Sequence, residues 1–148
     1  AFILSSLEEV EKSEAAFQQL LQQEIYQPDI YAGLAKLYNK TERYHETVQL
    51  LQKAIEQRQE YEGMYTDLGI AYHLEGETEA AASLMITRVE SGDEDLFVRY
   101  NLACYLAVLG KTASAQEELD YVLAHDETGE FYEMAMEDDE LKGLTVRR

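Results

Sequence analysis

The sequence repeats itself every 34 residues, and this period constrains the fold more than any other feature of the chain. In residues 62–95 a short turn at Gly76 separates two helical patterns, each with its apolar residues on one face. Neither helix can bury its apolar face alone, so a copy of the unit must lie on each side. The chain is therefore expected to be an array of helix–turn–helix units.

Positions that lie 34 residues apart keep the same size class in several independent columns. One such column could arise by chance, but agreement across all of them without an insertion identifies a repeat. The matched columns are Leu34, Leu68 and Leu102; Ala35, Gly69 and Ala103; Tyr38, Tyr72 and Leu106; Ser13, Thr47, Ala81 and Ala115; and Phe17, Leu51, Met85 and Leu119.

A 34-residue helix–turn–helix period with these columns resembles the tetratricopeptide repeat (TPR) family. The resemblance implies an all-α fold, an α-α superhelix built as a right-handed solenoid of antiparallel helix pairs, with a C-terminal capping helix. It places a partial repeat at 11–27 and full repeats at 28–61, 62–95 and 96–129, all within a single domain of residues 1–148.

Three positions depart from the family pattern. Arg99 stands where the earlier units have the aromatic residues Tyr31 and Tyr65. The late small residue of the second helix is Ala54 in one unit, but it is Arg88 in another. The late proline of the family is missing from every unit. These departures bear on local packing rather than on the fold.

The two ends of the chain differ from the repeats. Residues 2–26 read either as one long helix or as a helix pair broken after Val10. At the other end, Thr128-Gly129 breaks the chain, and residues 130–148 are expected to form a capping helix and tail. Such an array needs a cap because the last repeat would otherwise expose an apolar face.

The chain is strongly acidic, with a formal net charge of −18. From Thr112 to Leu141 there are eleven acidic residues and no Lys or Arg. This charge forms a solvated surface that keeps the array in solution, or it attracts a basic protein partner. In either case it argues against binding to nucleic acid and against an anionic membrane.

Nothing in the sequence resembles a signal peptide or a segment that inserts into a membrane. A cytoplasmic location is the default expectation. The chain begins with Ala rather than Met, so an excised domain and a missing upstream targeting segment both stay open.

No motif for catalysis, phosphate binding or a cofactor is present, and we expect a protein that is not an enzyme. The three histidines, His45, His73 and His125, do not share a helix face with a Cys or a carboxylate at metal-ligand spacing. Cys104 is the only cysteine and lies within a predicted helix, where a small half-buried side chain is the ordinary role. No metal site and no cofactor are therefore expected.

The resemblance to TPR proteins also implies a peptide-binding groove on the concave face of the first helices. Phe97, Tyr100 and Asn101 form its aromatic end, where rings and an amide suit a bound peptide, although the two rings could equally pack on a neighbouring unit. The predicted groove residues are Lys36, Asn39, Thr66, Asp67, Ile70, His73, Phe97, Tyr100, Asn101 and Cys104.

One known TPR function is not expected. The family's chaperone-binding members hold a C-terminal carboxylate with Lys, Asn and Arg at fixed positions. Here those positions hold Ala32 and Lys36, then Asp67, then Phe97 and Asn101. Asp67 would repel a carboxylate, so this chain is not expected to bind chaperones through a carboxylate clamp.

These observations favour a protein–protein interaction module, an adaptor, scaffold or assembly factor, which binds a peptide or protein segment in its groove. Two alternatives remain. The array could self-associate into a homodimer or larger homo-oligomer, or it could be the regulatory TPR domain of a larger enzyme. The sequence does not identify the partner.

Overall fold

The computed structural model describes residues 2–23 and 27–147, with the side chains of 7–23 and 27–147. Over this part of the chain it is helical and contains no strand, which confirms the predicted all-α class. None of the helices described there is long and apolar enough to cross a membrane. The elements are α1 (Phe2–Leu21), α2 (Pro28–Lys40), α3 (Tyr44–Glu56), α4 (Met64–Leu74), α5 (Thr78–Glu90), α6 (Leu96–Val108), α7 (Thr112–Ala124), α8 (Glu130–Glu137) and a 3-10 helix (Asp139–Leu141).

The helices form two compact units that divide between Ala71 and Tyr72, inside α4. In unit 1, α2 packs against α1 and α3. In unit 2, α6 packs against α5, α7 and the 3-10 helix, and α8 packs against α7. The assignment of all residues to a single domain stays a prediction. So does the partial repeat at 11–27, which extends into residues outside the described part of the chain.

The first segment is one helix rather than a broken pair, since α1 runs through Val10 without interruption as far as Leu21. Arg43 helps to hold α1 against the other helices of unit 1, because its guanidinium forms ion pairs with Glu14 on α1 and Glu46 on α3. The hydroxyl of Tyr38 also donates a hydrogen bond to the Glu14 carboxylate at 3.1 Å. The hydrogen bonds from Arg43 lower the pKa of Glu14, although burial opposes them.

The repeat columns form the core of the units. Leu34, Leu68 and Leu102 are each buried, and the second-helix residues of their repeats are equally inaccessible. Removing a side chain of this size from water contributes about 1.5–3 kcal/mol to folding. The 34-residue register therefore places the same positions in the interior of every full repeat. The buried second-helix residues of the repeat columns are Thr47, Leu51, Ala81, Met85, Ala115 and Leu119.

The first helix of each repeat ends in a left-handed turn. In the last repeat the N–H of Lys111 donates to the Leu106 carbonyl at 2.9 Å, and Gly110 between them has φ of +79°. This is the Schellman arrangement, which favours glycine because a side chain at positive φ is strained. Gly76 occupies the same position one repeat earlier, with φ of +91°. The turn reverses the chain after each first helix.

The C-terminal segment also begins at a left-handed glycine. Gly129 has φ of +82°, and the Asp126 carboxylate accepts hydrogen bonds from the N–H groups of Gly129 and Tyr132, at 3.0 and 2.9 Å. A carboxylate at this place satisfies donors that the start of a helix leaves free. As a result α8 starts at Glu130 and packs against α7 as the predicted capping helix.

The two arginines that replace apolar or small family residues pair with acids within unit 2. Arg99 donates to Glu118 at 3.0 Å, and its guanidinium lies 3.9 Å from the ring centre of Tyr121. Arg88 donates to Asp93 at 3.1 Å. Their long side chains keep the charge at the edge of the unit, so the fold tolerates both departures.

Candidate functional site

The predicted groove residues divide between the two units, and each set is described by itself. Unit 1 holds Lys36, Asn39, Thr66, Asp67 and Ile70. Unit 2 holds His73, Phe97, Tyr100, Asn101 and Cys104.

In unit 1, the polar groove residues are bonded to one another. The Asn39 amide donates to the backbone carbonyl of Asp67 at 3.4 Å and accepts from the Thr47 hydroxyl at 2.7 Å. The Asp67 carboxylate accepts a hydrogen bond from Tyr61 at 2.8 Å. Burial raises the pKa of Asp67, while the Tyr61 hydrogen bond and the charge of Lys36 oppose that shift. Asn39 and Asp67 therefore serve to tie α2, α3 and α4 together.

The other unit 1 candidates offer little to a ligand. Lys36 is exposed, and Ile70 is half-buried. The Thr66 hydroxyl is buried and has no hydrogen-bond partner among the described residues, but its oxygen is inaccessible to solvent. A peptide could reach the Lys36 ammonium and part of the Ile70 side chain, but not the Thr66 hydroxyl.

In unit 2, the aromatic groove residues contact the chain's own α8. The ring of Phe131 lies 4.8 Å from Phe97, edge to face, and 5.7 Å from Tyr100 between ring centres. Such edge-to-face pairs add to the burial of the rings. Tyr100 is only 3% exposed, whereas Phe97 keeps 39% of its surface open to solvent. Of this pair, Phe97 is the ring that another molecule can contact.

The acidic turn, defined as residues 138–141, lies against the remaining groove residues of unit 2. The Tyr100 hydroxyl donates to the Asp138 carboxylate at 2.9 Å, and the Cys104 thiol donates to the same oxygen at 3.6 Å. The His73 Nε2 atom lies 2.7 Å from a Glu140 carboxylate oxygen, and its Nδ1 atom lies 2.9 Å from the Thr78 hydroxyl. Three predicted groove residues thus bind a segment of the same chain.

The Tyr100 hydroxyl and the Cys104 thiol stay protonated in this contact. Burial, followed by the charges of Asp138 and Glu140, raises the pKa of the Cys104 thiol well above its ordinary range. Burial and the hydrogen bond to Asp138 likewise raise the pKa of Tyr100. At neutral pH both groups are therefore neutral hydrogen-bond donors to a carboxylate rather than nucleophiles.

Cys104, Asp138 and Glu140 also place their ligand atoms within 4.8 Å of one another. Thiol and carboxylate groups are ligand types for a divalent cation such as Zn²⁺. Helix spacing could not predict this group, because the acids come from a different element than the cysteine. Hydrogen bonds from Tyr100, Cys104 and His73 already satisfy the two carboxylates, so the cluster is explained without a metal.

Asn101 differs from the other groove residues of unit 2. It is half-buried on α6, next to Tyr100, and its amide has no hydrogen-bond partner in residues 7–23 and 27–147. An amide can donate to a peptide carbonyl and accept from a peptide N–H. Buried and half-buried amides usually have a hydrogen-bond partner in the folded chain. The Asn101 amide has none among the described residues, so it is available to a bound molecule.

Sequence reasoning missed the residues that occupy this surface. The sequence predicts only a capping helix and tail for residues 130–148, and not a contact of its acids with α6. A second contact was also not foreseen: the Gln116 amide exchanges two hydrogen bonds of 2.8 Å with the backbone of Thr145. These contacts link residues that lie between 29 and 67 positions apart, and the helical period gives no information at such separations.

The structure resembles that of a known repeat protein. No protein-family model matches the sequence, and no curated protein matches it. The crystal structure of YrrB, described as a TPR protein with an unusual peptide-binding site, superposes with a TM-score of 0.64. The match covers 95% of this chain and 77% of the YrrB chain, at 21% sequence identity. Together with the buried 34-residue columns, this similarity shows that the chain has the tetratricopeptide-repeat fold.

Proposed function

We propose that the chain is a non-enzymatic protein–protein interaction module, an adaptor, scaffold or assembly factor, which binds a peptide or protein segment on α6. The observation that carries the proposal is the unpaired amide of Asn101 beside the partly exposed ring of Phe97. An amide that contacts the peptide backbone and an aromatic ring that anchors a side chain are two ways in which a surface can hold a peptide. YrrB, which has the same fold, is described as having a peptide-binding site.

The proposal is tested with peptides selected from a display library against the whole chain. Isothermal titration should then show that Asn101→Ala weakens binding by about 1–3 kcal/mol, because a peptide group loses its partner. Phe97→Ala should have an effect of similar size, since it removes the anchor.

Two controls define the surface. Val108→Ala changes an exposed apolar residue on the same helix and should leave affinity unchanged. Lys36→Ala should act weakly and mainly on the association rate, as charges at the edge of a binding surface do. Wild-type affinity in both Asn101→Ala and Phe97→Ala, with folding verified by circular dichroism, would exclude this surface.

Self-association stays a separate prediction. Light scattering of the whole chain over a range of concentrations separates a monomer from a homo-oligomer. A homo-oligomer that persists when Asn101 is replaced would use another surface, whereas one that dissociates would use the same surface as the peptide.

A further inference from the structure

The acidic turn is held on α6 by a set of specific contacts. Asp138 receives hydrogen bonds from Tyr100 and Cys104, and Glu140 contacts His73. Leu141 directly follows and is 1% exposed, with the 3-10 helix packed on α6. A short stretch of chain thus binds through two carboxylates and one leucine.

The residue between the two carboxylates does not take part. Asp139 points away from α6, since its side chain is 84% exposed and forms an ion pair with the exposed Lys142. The contacts therefore follow a pattern: an acidic residue, any residue, a second acidic residue, and a leucine. A pattern of this kind is what a peptide-binding surface selects when it contacts some side chains and leaves others in solvent.

We propose that the acidic turn is a built-in occupant of the peptide surface, and that the partner carries the same acidic-x-acidic-Leu pattern and binds by displacing it. This inference rests on the proposed function, because it names the partner class of that surface. The partner class is an acidic peptide, since Tyr100, Cys104 and His73 present a hydroxyl, a thiol and an imidazole to carboxylate oxygens. Hydrogen bonds from such donors recognise a carboxylate without a Lys or Arg.

Displacement follows from how the turn is tethered. A segment joined by a short linker competes at an effective concentration on the order of millimolar. A free peptide therefore binds only the fraction of molecules in which the turn has detached, and its apparent affinity falls by that fraction. Because α8 and the Thr145 contact hold the C-terminal segment on both sides of the turn, the turn can detach while its flanks stay bound.

The test uses the whole chain and a fluorescent synthetic peptide that spans residues 134–146, followed by fluorescence anisotropy. The variant Asp138→Ala/Glu140→Ala weakens the chain's own turn and should bind the peptide about tenfold or more tightly than the wild type does. Asp139→Ala is the matched control and should bind as the wild type. The same peptide with Ala in place of both contacting acids should not bind.

The salt dependence gives a second, independent outcome. The chain carries a net charge of −18, so added salt should strengthen the binding of an acidic peptide by screening repulsion. Weaker binding with added salt would mean that attraction between opposite charges holds the peptide, rather than hydrogen bonds from the uncharged Tyr100 and Cys104 donors, and would overturn the inference. The effect of salt on peptide binding can be measured even where a substitution changes the stability of the chain.

Cys104 shows whether the turn has detached in each variant. It is the only cysteine, and it lies beneath the turn. In Asp138→Ala/Glu140→Ala its reaction with a thiol reagent should speed up, and the wild-type peptide should slow it again. An unchanged rate in that variant would show that the turn does not cover the thiol, against the inference.

The two proposals fail in different ways. If the doubly substituted chain binds the acidic peptide no better than the wild type, but binds another selected peptide through Asn101, the acidic pattern is wrong and the proposed function stands. If no selected peptide binds either chain, the proposed function fails as well. Binding that depends on Asp139 rather than on its two neighbours would refute the contact pattern.

Discussion

Replacing Phe131 with alanine tests how strongly the C-terminal segment is held. Phe131 is 7% exposed and makes ring contacts with Phe97 and Tyr100 at 4.8 and 5.7 Å. The substitution of a buried Phe by Ala costs about 3–5 kcal/mol, a cost that includes about 0.5–1.5 kcal/mol for each aromatic pair. Because Phe97 leaves one side of this cluster open to water, we expect the lower end, about 3 kcal/mol.

The effect should be local rather than global. The contact holds a terminal segment on α6, and such segments open without unfolding of the remaining structure. A loss of about 3 kcal/mol corresponds to roughly a hundredfold larger open fraction. Cys104 becomes accessible only when the segment opens, and an exposed thiol has an ordinary pKa of about 8.5. Its reaction with a thiol reagent should therefore accelerate by roughly a hundredfold, as long as reclosing is faster than the reaction.

The matched control is Met136→Ala, on the same helix. Met136 is 60% exposed, so its removal should leave the rate within about twofold of the wild type, as for exposed sites in general. Circular dichroism confirms that each variant stays helical. A Phe131→Ala chain with the wild-type rate at Cys104 would refute the reasoning, because the segment would then not be what covers the thiol.

Three further results are expected. Leu68→Ala removes a core residue and should lower the free energy of unfolding by about 2–5 kcal/mol in urea denaturation; an unchanged value would mean that the repeat register is wrong. Gly110→Ala should cost about 1–2 kcal/mol through strain at φ of +79°, whereas Gly143→Ala, also without a neighbour within 4 Å of the added carbon, should not. Because the folded chain keeps a proton on Cys104 that the unfolded chain releases above about pH 8.5, the free energy of unfolding should fall by about 1.4 kcal/mol near pH 9.5. Cys104→Ser should remove that pH-dependent loss; an equal loss in both chains would assign it to other groups.

The repeat could be predicted because the fold uses the same position for the same purpose in each unit. Leu34, Leu68 and Leu102 fill equivalent sites, so a period in the sequence becomes a period in the core. The turn at Gly76 could be predicted for a similar reason, because a left-handed backbone conformation favours glycine in the sequence.

The occupant of the groove could not be predicted by the same means. Whether Tyr100 faces solvent or another segment depends on where residues 138–141 return, and no periodic signal reports that path. A segment that caps the last repeat and a segment that occupies the groove also have the same kind of sequence, a few apolar residues after a glycine break. The apolar positions of α8 thus predicted packing on the last repeat, but not the hydrogen bonds that Asp138 makes beyond it.

The acidic run from Thr112 to Leu141 therefore has two parts with different consequences. Asp138 and Glu140 already accept hydrogen bonds from Tyr100, Cys104 and His73, so their carboxylate oxygens are less available to pair with a basic partner. The acids on the outward sides of α7 and α8 are exposed and keep that role. A charge count along the sequence treats both parts alike, and only the contacts separate them. If a basic partner and an acidic peptide both bind, they should do so at different places: Tyr100→Phe, which removes the hydroxyl that reaches Asp138, should weaken binding of the acidic peptide and leave binding of the basic partner unchanged.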